Sequence, residues 1–230
     1  MRNRILPLLI LSLGISLGFA AAPTWAVPEG AMPTSPAAGG QDDEGKANLA
    51  YNIGLSMVET GDQATTAADA ATDDATRKTA LESARASYTE ARAKFQEATR
   101  LNATMPGAWN MVGYTERKLG NYDEALAAYE RALGLNPNYA QAIEYRAEAY
   151  LGLNRIDDAK QAYLDLFASN RALSEQFLGA AKKWVMARRK APGNASTAVV
   201  NDMDRWVQER TRIAAKTAAL TREGAAASWR

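Results

Sequence analysis

Two side chains that are common in enzyme and metal sites are missing from this sequence: its 230 residues include no cysteine and no histidine. Their absence excludes disulfides, zinc sites built from Cys and His, and Ser-His-Asp triads. It also removes the side chain that most often acts as a base near neutral pH. An enzyme of this composition would depend on Asp, Glu, Lys, Tyr or Ser alone. We therefore expect no enzymatic activity, no metal site and no cofactor.

An excess of charge of one sign is missing as well. The 27 basic residues nearly balance the 26 acidic ones, so no overall field draws the chain towards nucleic acid. Apolar residues make up 47% of the sequence and charged residues 23%, which is typical of a globular protein. We expect protein partners and no nucleic-acid partner.

Residues 1–26 have the layout of a secretory signal peptide. Two arginines precede an apolar stretch over 5–20, which is shorter than the roughly 20 residues that span a bilayer. The small residues that follow fit cleavage after Ala20 or after Ala26, and the missing cysteine excludes a lipoprotein anchor. We expect an exported, periplasmic protein. The alternative is an uncleaved membrane anchor, which also leaves the rest of the chain outside the cytoplasm.

A period of 34 residues runs through the middle of the chain. An alanine recurs at one position of the period and an aromatic ring at another. A fixed period of this length indicates stacked helical hairpins, because each hairpin buries its apolar face only against its neighbours. The recurring residues are Ala91, Ala125 and Ala159 for the alanine, and Phe95, Tyr129 and Tyr163 for the ring.

The segment 106–139 carries the pattern most fully. Its small residues allow two helices to approach closely, its two large rings fill the remaining volume, and its glycine and proline end the helices. The residues that define this core are Trp109, Gly113, Gly120, Tyr122, Ala125, Tyr129, Ala132 and Pro137. In these positions the segment resembles the tetratricopeptide repeat (TPR), although Glu116 stands where that family usually has Tyr. The resemblance implies an all-α, TPR-like solenoid of antiparallel helical hairpins.

We divide the chain around this segment. Residues 27–45, rich in Pro and Gly, are predicted to be a flexible linker. The repeats occupy 46–172, and a helical cap over 173–222 is expected to close the core, since solenoids need capping hairpins. A tail follows over 223–230. The three repeat units are 47–105, 106–139 and 140–171, of which the third is degenerate.

The first unit contains an insertion of 25 residues, 62–86. Tyr88 should lie two positions after Gly61 and instead lies 27 after it. The apolar residues Leu81, Ala84, Tyr88, Ala91, Phe95 and Ala98 step by three and four, as in a heptad seam. We therefore predict a long second helix from about Asp74 to Asn102, with the first helix extended to meet it. A disordered Ala/Thr-rich loop over 62–73 is the alternative.

The resemblance also implies a function. TPR proteins usually bind a peptide or a helix of a partner in the concave groove lined by the first helix of each hairpin. The TPR geometry therefore implies a non-enzymatic scaffold or adaptor, in envelope or secretion-complex assembly given the signal peptide. The groove positions that it implies are Tyr51, Asn52, Leu55, Asn110, Met111, Tyr114, Arg117, Glu144, Tyr145 and Glu148.

Two other interpretations use different residues. A basic patch near the end of one predicted helix suits an anionic membrane surface or a cell-wall polymer. It comprises Lys182, Lys183, Arg188, Arg189 and Lys190. The carboxylates Glu144 and Glu148, one turn apart, suggest a glycan-cleaving pair, but no aromatic platform beyond two tyrosines accompanies them.

Overall fold

A computed structural model describes residues 38–227, with side chains described over 42–219. The predicted signal peptide and most of the predicted linker lie outside this range. Within it the chain forms eight α-helices and no strand, which confirms the all-α prediction. The helices are α1 (Ala38–Ala70), α2 (Asp74–Leu101), α3 (Pro106–Leu119), α4 (Tyr122–Leu135), α5 (Ala140–Gly152), α6 (Ile156–Ser169), α7 (Arg171–Lys190) and α8 (Thr197–Ala227).

The helices pair as four hairpins that stack into a TPR-like solenoid. First helices of neighbouring hairpins are in contact in the later part of the stack: α3 contacts α5, and α5 contacts α7. Two ends differ from the prediction, since α1 begins at Ala38, inside the predicted linker, and α8 continues to Ala227, past the predicted end of the cap. Across 38–227, no helix combines the length and apolar character that a membrane span requires.

Glycines in the first helices allow aromatic rings of the second helices to pack against the backbone. A Cβ atom placed on Gly113 of α3 would lie 2.5 Å from the ring of Tyr129 on α4, so any larger residue would force the ring or the helix to move. The same contact recurs in the first hairpin, where Gly54 faces Phe95. These two contacts occupy equivalent repeat positions once the 25 inserted residues are discounted, so the first hairpin packs in the same register as the second.

The segment 62–86 extends the first hairpin. Helix α1 continues without interruption to Ala70, and α2 begins at Asp74, where the Asp73 side chain accepts a hydrogen bond from the Thr76 amide at 2.8 Å. Arg77 closes the tip by donating to the carbonyl oxygen of Ala71 at 2.8 Å. A helical hairpin therefore stands where the alternative interpretation placed a loop.

Five of the six predicted seam residues of α2 are buried, and Leu81 is not. Ala84, Tyr88 and the residues that follow pack inwards, whereas the Leu81 side chain is 50% exposed. The prediction was wrong for Leu81, because within the described part of the chain no hairpin covers the side of α2 on which it lies.

Most of the predicted repeat core lies where expected. Ala125, Tyr129 and Ala132 have no exposed surface, and Gly120 ends α3 in the left-handed conformation at φ 88°. Tyr122 is half-buried against Gly152 of the next hairpin. Pro137 is exposed, two residues beyond the end of α4.

The structure corrects the prediction that Trp109 belongs to this core. It is only partly buried, and its indole N–H donates to the carbonyl oxygen of Ala103, in the turn before α3, at 2.9 Å. Its position near the start of α3 leaves one side of the ring in contact with solvent. Trp109 therefore fixes the connection between the first two hairpins and lies at the edge of the core.

Glu116, which replaces the usual tyrosine of the TPR pattern, also has a structural role. Its side chain is buried, and it accepts hydrogen bonds from Asn121 at 2.7 Å and from Arg92 of α2 at 3.3 Å. Where TPR sequences usually place a tyrosine, this chain uses a charge-assisted contact that joins the first two hairpins.

Candidate functional site

Three tyrosines from three hairpins meet near the C-terminal end of α3. The ring centroids of Tyr88 and Tyr114 are 6.4 Å apart, and those of Tyr114 and Tyr145 are 5.0 Å apart. Pairs in this range add about 0.5–1.5 kcal/mol beyond the burial of their area. Four charged residues surround the rings. We call the whole set the tyrosine cluster, which comprises Asp62, Tyr88, Tyr114, Arg117, Lys118, Tyr145 and Glu148.

Asp62 of α1 is the acceptor at one end of the tyrosine cluster. Its carboxylate accepts hydrogen bonds from the hydroxyl of Tyr88 at 2.6 Å and from that of Tyr114 at 2.7 Å, and it pairs with Lys118 Nζ at 3.2 Å. Partial burial alone would raise the pKa of Asp62. The tyrosine hydrogen bonds and the Lys118 charge outweigh it, so the pKa is lowered. The first residue of the insertion is thus tied to α3.

Arg117 lies at the opposite end of the tyrosine cluster from Asp62, between the rings of Tyr114 and Tyr145. Its guanidinium carbon is 5.2 Å from the centroid of Tyr114 and 5.4 Å from that of Tyr145, which is cation–π distance. It also donates to the carboxylate of Glu148 on α5. The charge of Glu148 is therefore neutralised, and α3 and α5 are fixed relative to each other.

Glu144 lies one turn before Glu148 and has no exposed surface. Burial and the neighbouring Glu148 carboxylate raise its pKa, although the positive charge of Arg117 opposes this. A glycan cannot reach Glu144, and Glu148 is paired with Arg117, so the two carboxyl groups do not form an accessible catalytic pair.

Residues 106–139 match the tetratricopeptide repeat. Repeats of this type generally mediate protein–protein interactions and are generally non-enzymatic scaffolds. The match covers α3 and α4, whose residues include Tyr114, Arg117 and Lys118 of the tyrosine cluster. No curated protein shows a significant sequence match to the chain.

The structure brings together only part of the predicted groove. Tyr114, Arg117, Glu144, Tyr145 and Glu148 gather where α3 packs on α5. Of these, Tyr114 and Glu144 are buried, as are Asn110 and Met111. These four are therefore poor candidates for ligand contact, because α3 and α5 lie in the middle of the stack and neighbouring hairpins cover more of their surface.

The predicted groove residues of α1 are more accessible. Tyr51 is half-buried, with its ring 5.6 Å from that of Phe95. Asn52 is exposed, and the Leu55 side chain is 37% exposed. Leu55 lies one helical turn from Val58 and two from Asp62, beside an open surface depression. The first helix therefore presents an apolar side chain next to the tyrosine cluster.

The predicted basic patch divides into two parts. Lys182, Lys183 and Lys190 are exposed on the face of α7 that also carries Met186, which is 54% exposed. Arg189 pairs with Asp204 of α8 at 2.8 Å, and the half-buried Arg188 lies 5.7 Å from the ring centroid of Trp184. Among residues 42–219, no carboxylate lies within salt-bridge distance of these three lysines or of Arg188, and the lysines are the exposed members of this group.

Sequence reasoning missed Asp62, Tyr88 and Lys118 as members of the site. Tyr88 was predicted as a core residue, and its hydroxyl could not be assigned a partner from the sequence. Lys118 is four residues from Tyr114, a spacing that places both on one helix face. No sequence signal marked Asp62, because its partners lie 26 and 52 residues away.

Proposed function

We propose that this chain is an exported protein-interaction module that binds a peptide or helix of a partner in the groove formed by α1, α3 and α5. The observation that carries the proposal is the accessible edge of the tyrosine cluster beside Leu55 of α1. Tyr145 and Leu55 offer apolar contact there, and Asp62 and Lys118 offer polar contact. The cluster is held by its own ion pairs, and a rigid surface loses less entropy on binding.

Export rests on the sequence of residues 1–26, and it places the partner in the cell envelope. A role in envelope or secretion-complex assembly is the corresponding biological context. Fractionation of cells that express the full chain, followed by N-terminal sequencing, tests this part. A mature chain that begins after Ala20 or Ala26 is expected, and an unprocessed cytoplasmic chain would contradict it.

Groove binding is tested by affinity capture with the full chain and two charge-introducing variants. Leu55→Asp alters the groove, and Leu164→Asp alters a leucine of comparable exposure (44% against 37%) on α6. The expected result is a discrete partner that Leu55→Asp loses and Leu164→Asp retains, with circular dichroism showing both variants folded. Equal retention by both would contradict the groove as the binding surface.

A second candidate function uses the three exposed lysines of α7 around Met186. An exposed apolar side chain among cations suits an anionic membrane surface. The charge-reversed variant of Lys182, Lys183 and Lys190 would then lose binding to anionic vesicles, and native binding would fall steeply with salt. Vesicle binding that is unchanged by the variant would reject this function.

A further inference from the structure

A cleft of about 600 Å³ lies between the extended part of α2 and the C-terminal end of α3. We call it the notch. One side is a line of residues on α2, Arg77, Leu81 and Arg85, at four-residue spacing. The floor is formed by Tyr88, Lys118 and Leu119. Most of its exposed lining is apolar, and none of its residues except Arg117 belongs to the predicted groove.

The notch exists because only the first hairpin carries the insertion. Helix α2 extends 14 residues before Tyr88, whereas the second hairpin turns at Gly120 and Asn121. Within the described part of the chain, no hairpin covers the side of α2 that Leu81 occupies. Leu81 therefore remains 50% exposed, although its neighbour Ala84 is buried.

Cations outnumber carboxylates in the lining of the notch. Its lining contains five cations, Arg77, Lys78, Arg85, Arg117 and Lys118, and two carboxylates, Asp74 and Glu82. Arg77, Arg117 and Lys118 each have a close acidic partner, and Lys78 is 3.9 Å from Glu82. No carboxylate among residues 42–219 lies within salt-bridge distance of Arg85. Within that range, Arg85 is therefore the cation of the notch without a carboxylate partner, one helical turn from Leu81. Lys118 adds a partly accessible charge that Asp62 also contacts.

We propose that the notch binds an acidic amphipathic segment of a protein partner. An apolar side chain of that segment packs on Leu81 and Leu119, and its carboxylates face Arg85 and Lys118. The length of α2 from Asp74 to Tyr88, roughly 21 Å at 1.5 Å per residue, matches about four turns of a partner helix. The apolar centre favours a protein segment over a polyanion, since a polyanion has no group that would use Leu81.

The notch shares Lys118 with the edge of the tyrosine cluster, so its test uses Leu81 and Arg85, which line the notch and not the depression beside Leu55. Failure of the notch and failure of the Leu55 groove are then distinguishable. The probe is a fluorescent helical peptide of about 14 residues, with leucines along one face and glutamates elsewhere. A matched peptide replaces each glutamate by lysine. Binding to the full chain is measured by fluorescence anisotropy near physiological salt.

Two variants of the notch each have a matched control elsewhere in the fold. Arg85→Glu is paired with Arg212→Glu, an exposed arginine on α8, and Leu81→Ala is paired with Leu164→Ala. We expect the acidic peptide to bind and the basic peptide not to bind. Each notch variant should weaken binding by about tenfold, as an interface anchor does, and each control should stay within about twofold of the native chain.

Several outcomes would overturn the proposal. Equal binding of both peptides, or equal losses in notch and control variants, would show that the notch is not a specific site. So would an acidic peptide that fails to saturate the chain at about 1 mM, a concentration that corresponds to very weak affinity. Binding of inorganic polyphosphate that depends on Arg85 and not on Leu81 would assign the notch to a polyanion. Sedimentation showing a dimer that Leu81→Ala dissociates would assign it to a second copy of the chain.

Discussion

Two glutamates of α5, one helical turn apart, are expected to affect stability in opposite directions. Glu144 is fully buried, and its pKa is raised by burial and by the Glu148 carboxylate. The folded protein therefore holds a proton on Glu144 at pH values where the unfolded chain has released it. Between the ordinary glutamate pKa, near 4.5, and the raised folded pKa, the folded state binds more protons, so stability falls as pH rises.

The variant Glu144→Gln removes this dependence, because an amide of similar shape carries no proton to lose. Each unit of pKa shift corresponds to about 1.4 kcal/mol. Between pH 5 and pH 8, the free energy of unfolding of the variant should rise by about 1–3 kcal/mol relative to that of the native chain.

Glu148→Gln is the matched contrast. It leaves Arg117, which is largely buried, without its acidic partner, and a lost charged hydrogen bond costs about 1.5–3 kcal/mol. This variant should therefore be less stable than the native chain at pH 8.

Urea unfolding, followed by circular dichroism at pH 5 and pH 8, measures both variants. The free energies of unfolding of Glu144→Gln and of the native chain are compared at each pH. If their difference stays constant within about 0.3 kcal/mol across this range, the proton on Glu144 is not coupled to folding. Loss of stability in both variants at pH 8 would likewise refute the opposite roles.

Three further variants test other parts of the fold by urea unfolding, which measures the free energy of unfolding. Gly113→Ala should lower it by about 1–3 kcal/mol, because the new Cβ would meet the ring of Tyr129. Gly179→Ala, where a Cβ would have nothing within 4 Å, should raise it by about 0.5–1 kcal/mol, and equal effects of the two variants would contradict the close approach of the helices. Asp62→Asn should cost about 1 kcal/mol at pH 7 and lose that difference as the carboxylate is protonated at low pH, and a difference that persists there would exclude the charge as its cause. Trp109→Phe should lower the free energy of unfolding by about 0.5–1.5 kcal/mol through the lost hydrogen bond. A loss above about 3 kcal/mol would instead indicate that Trp109 is a central core residue.

The repeat core could be predicted because it depends on local spacing. Gly113, Ala125 and Tyr129 recur at helical intervals, and their packing follows from side-chain size alone. Leu81 was placed wrongly because its burial would require a neighbouring hairpin to cover that side of α2. Coverage of a side chain by a neighbouring hairpin depends on how the hairpins stack. The spacing of apolar residues along one helix cannot predict it.

The candidate site was less predictable for the same reason. The TPR resemblance implied the positions of Tyr114, Arg117 and Tyr145, which do meet. It did not show that Glu144 is buried, or that Asp62 would accept hydrogen bonds from two other helices. Those contacts join residues far apart in sequence, and the insertion that brings Asp62 into place is not part of the repeat pattern.

Site-specific photocrosslinking in cells tests the central claim, protein binding through the groove, most directly. A photoreactive amino acid would replace Asn52, which is exposed on α1, and in a separate chain Leu164 on α6. The account predicts a discrete crosslinked protein from position 52 and none from position 164. Identical adducts from both positions, or adducts from position 164 alone, would contradict it.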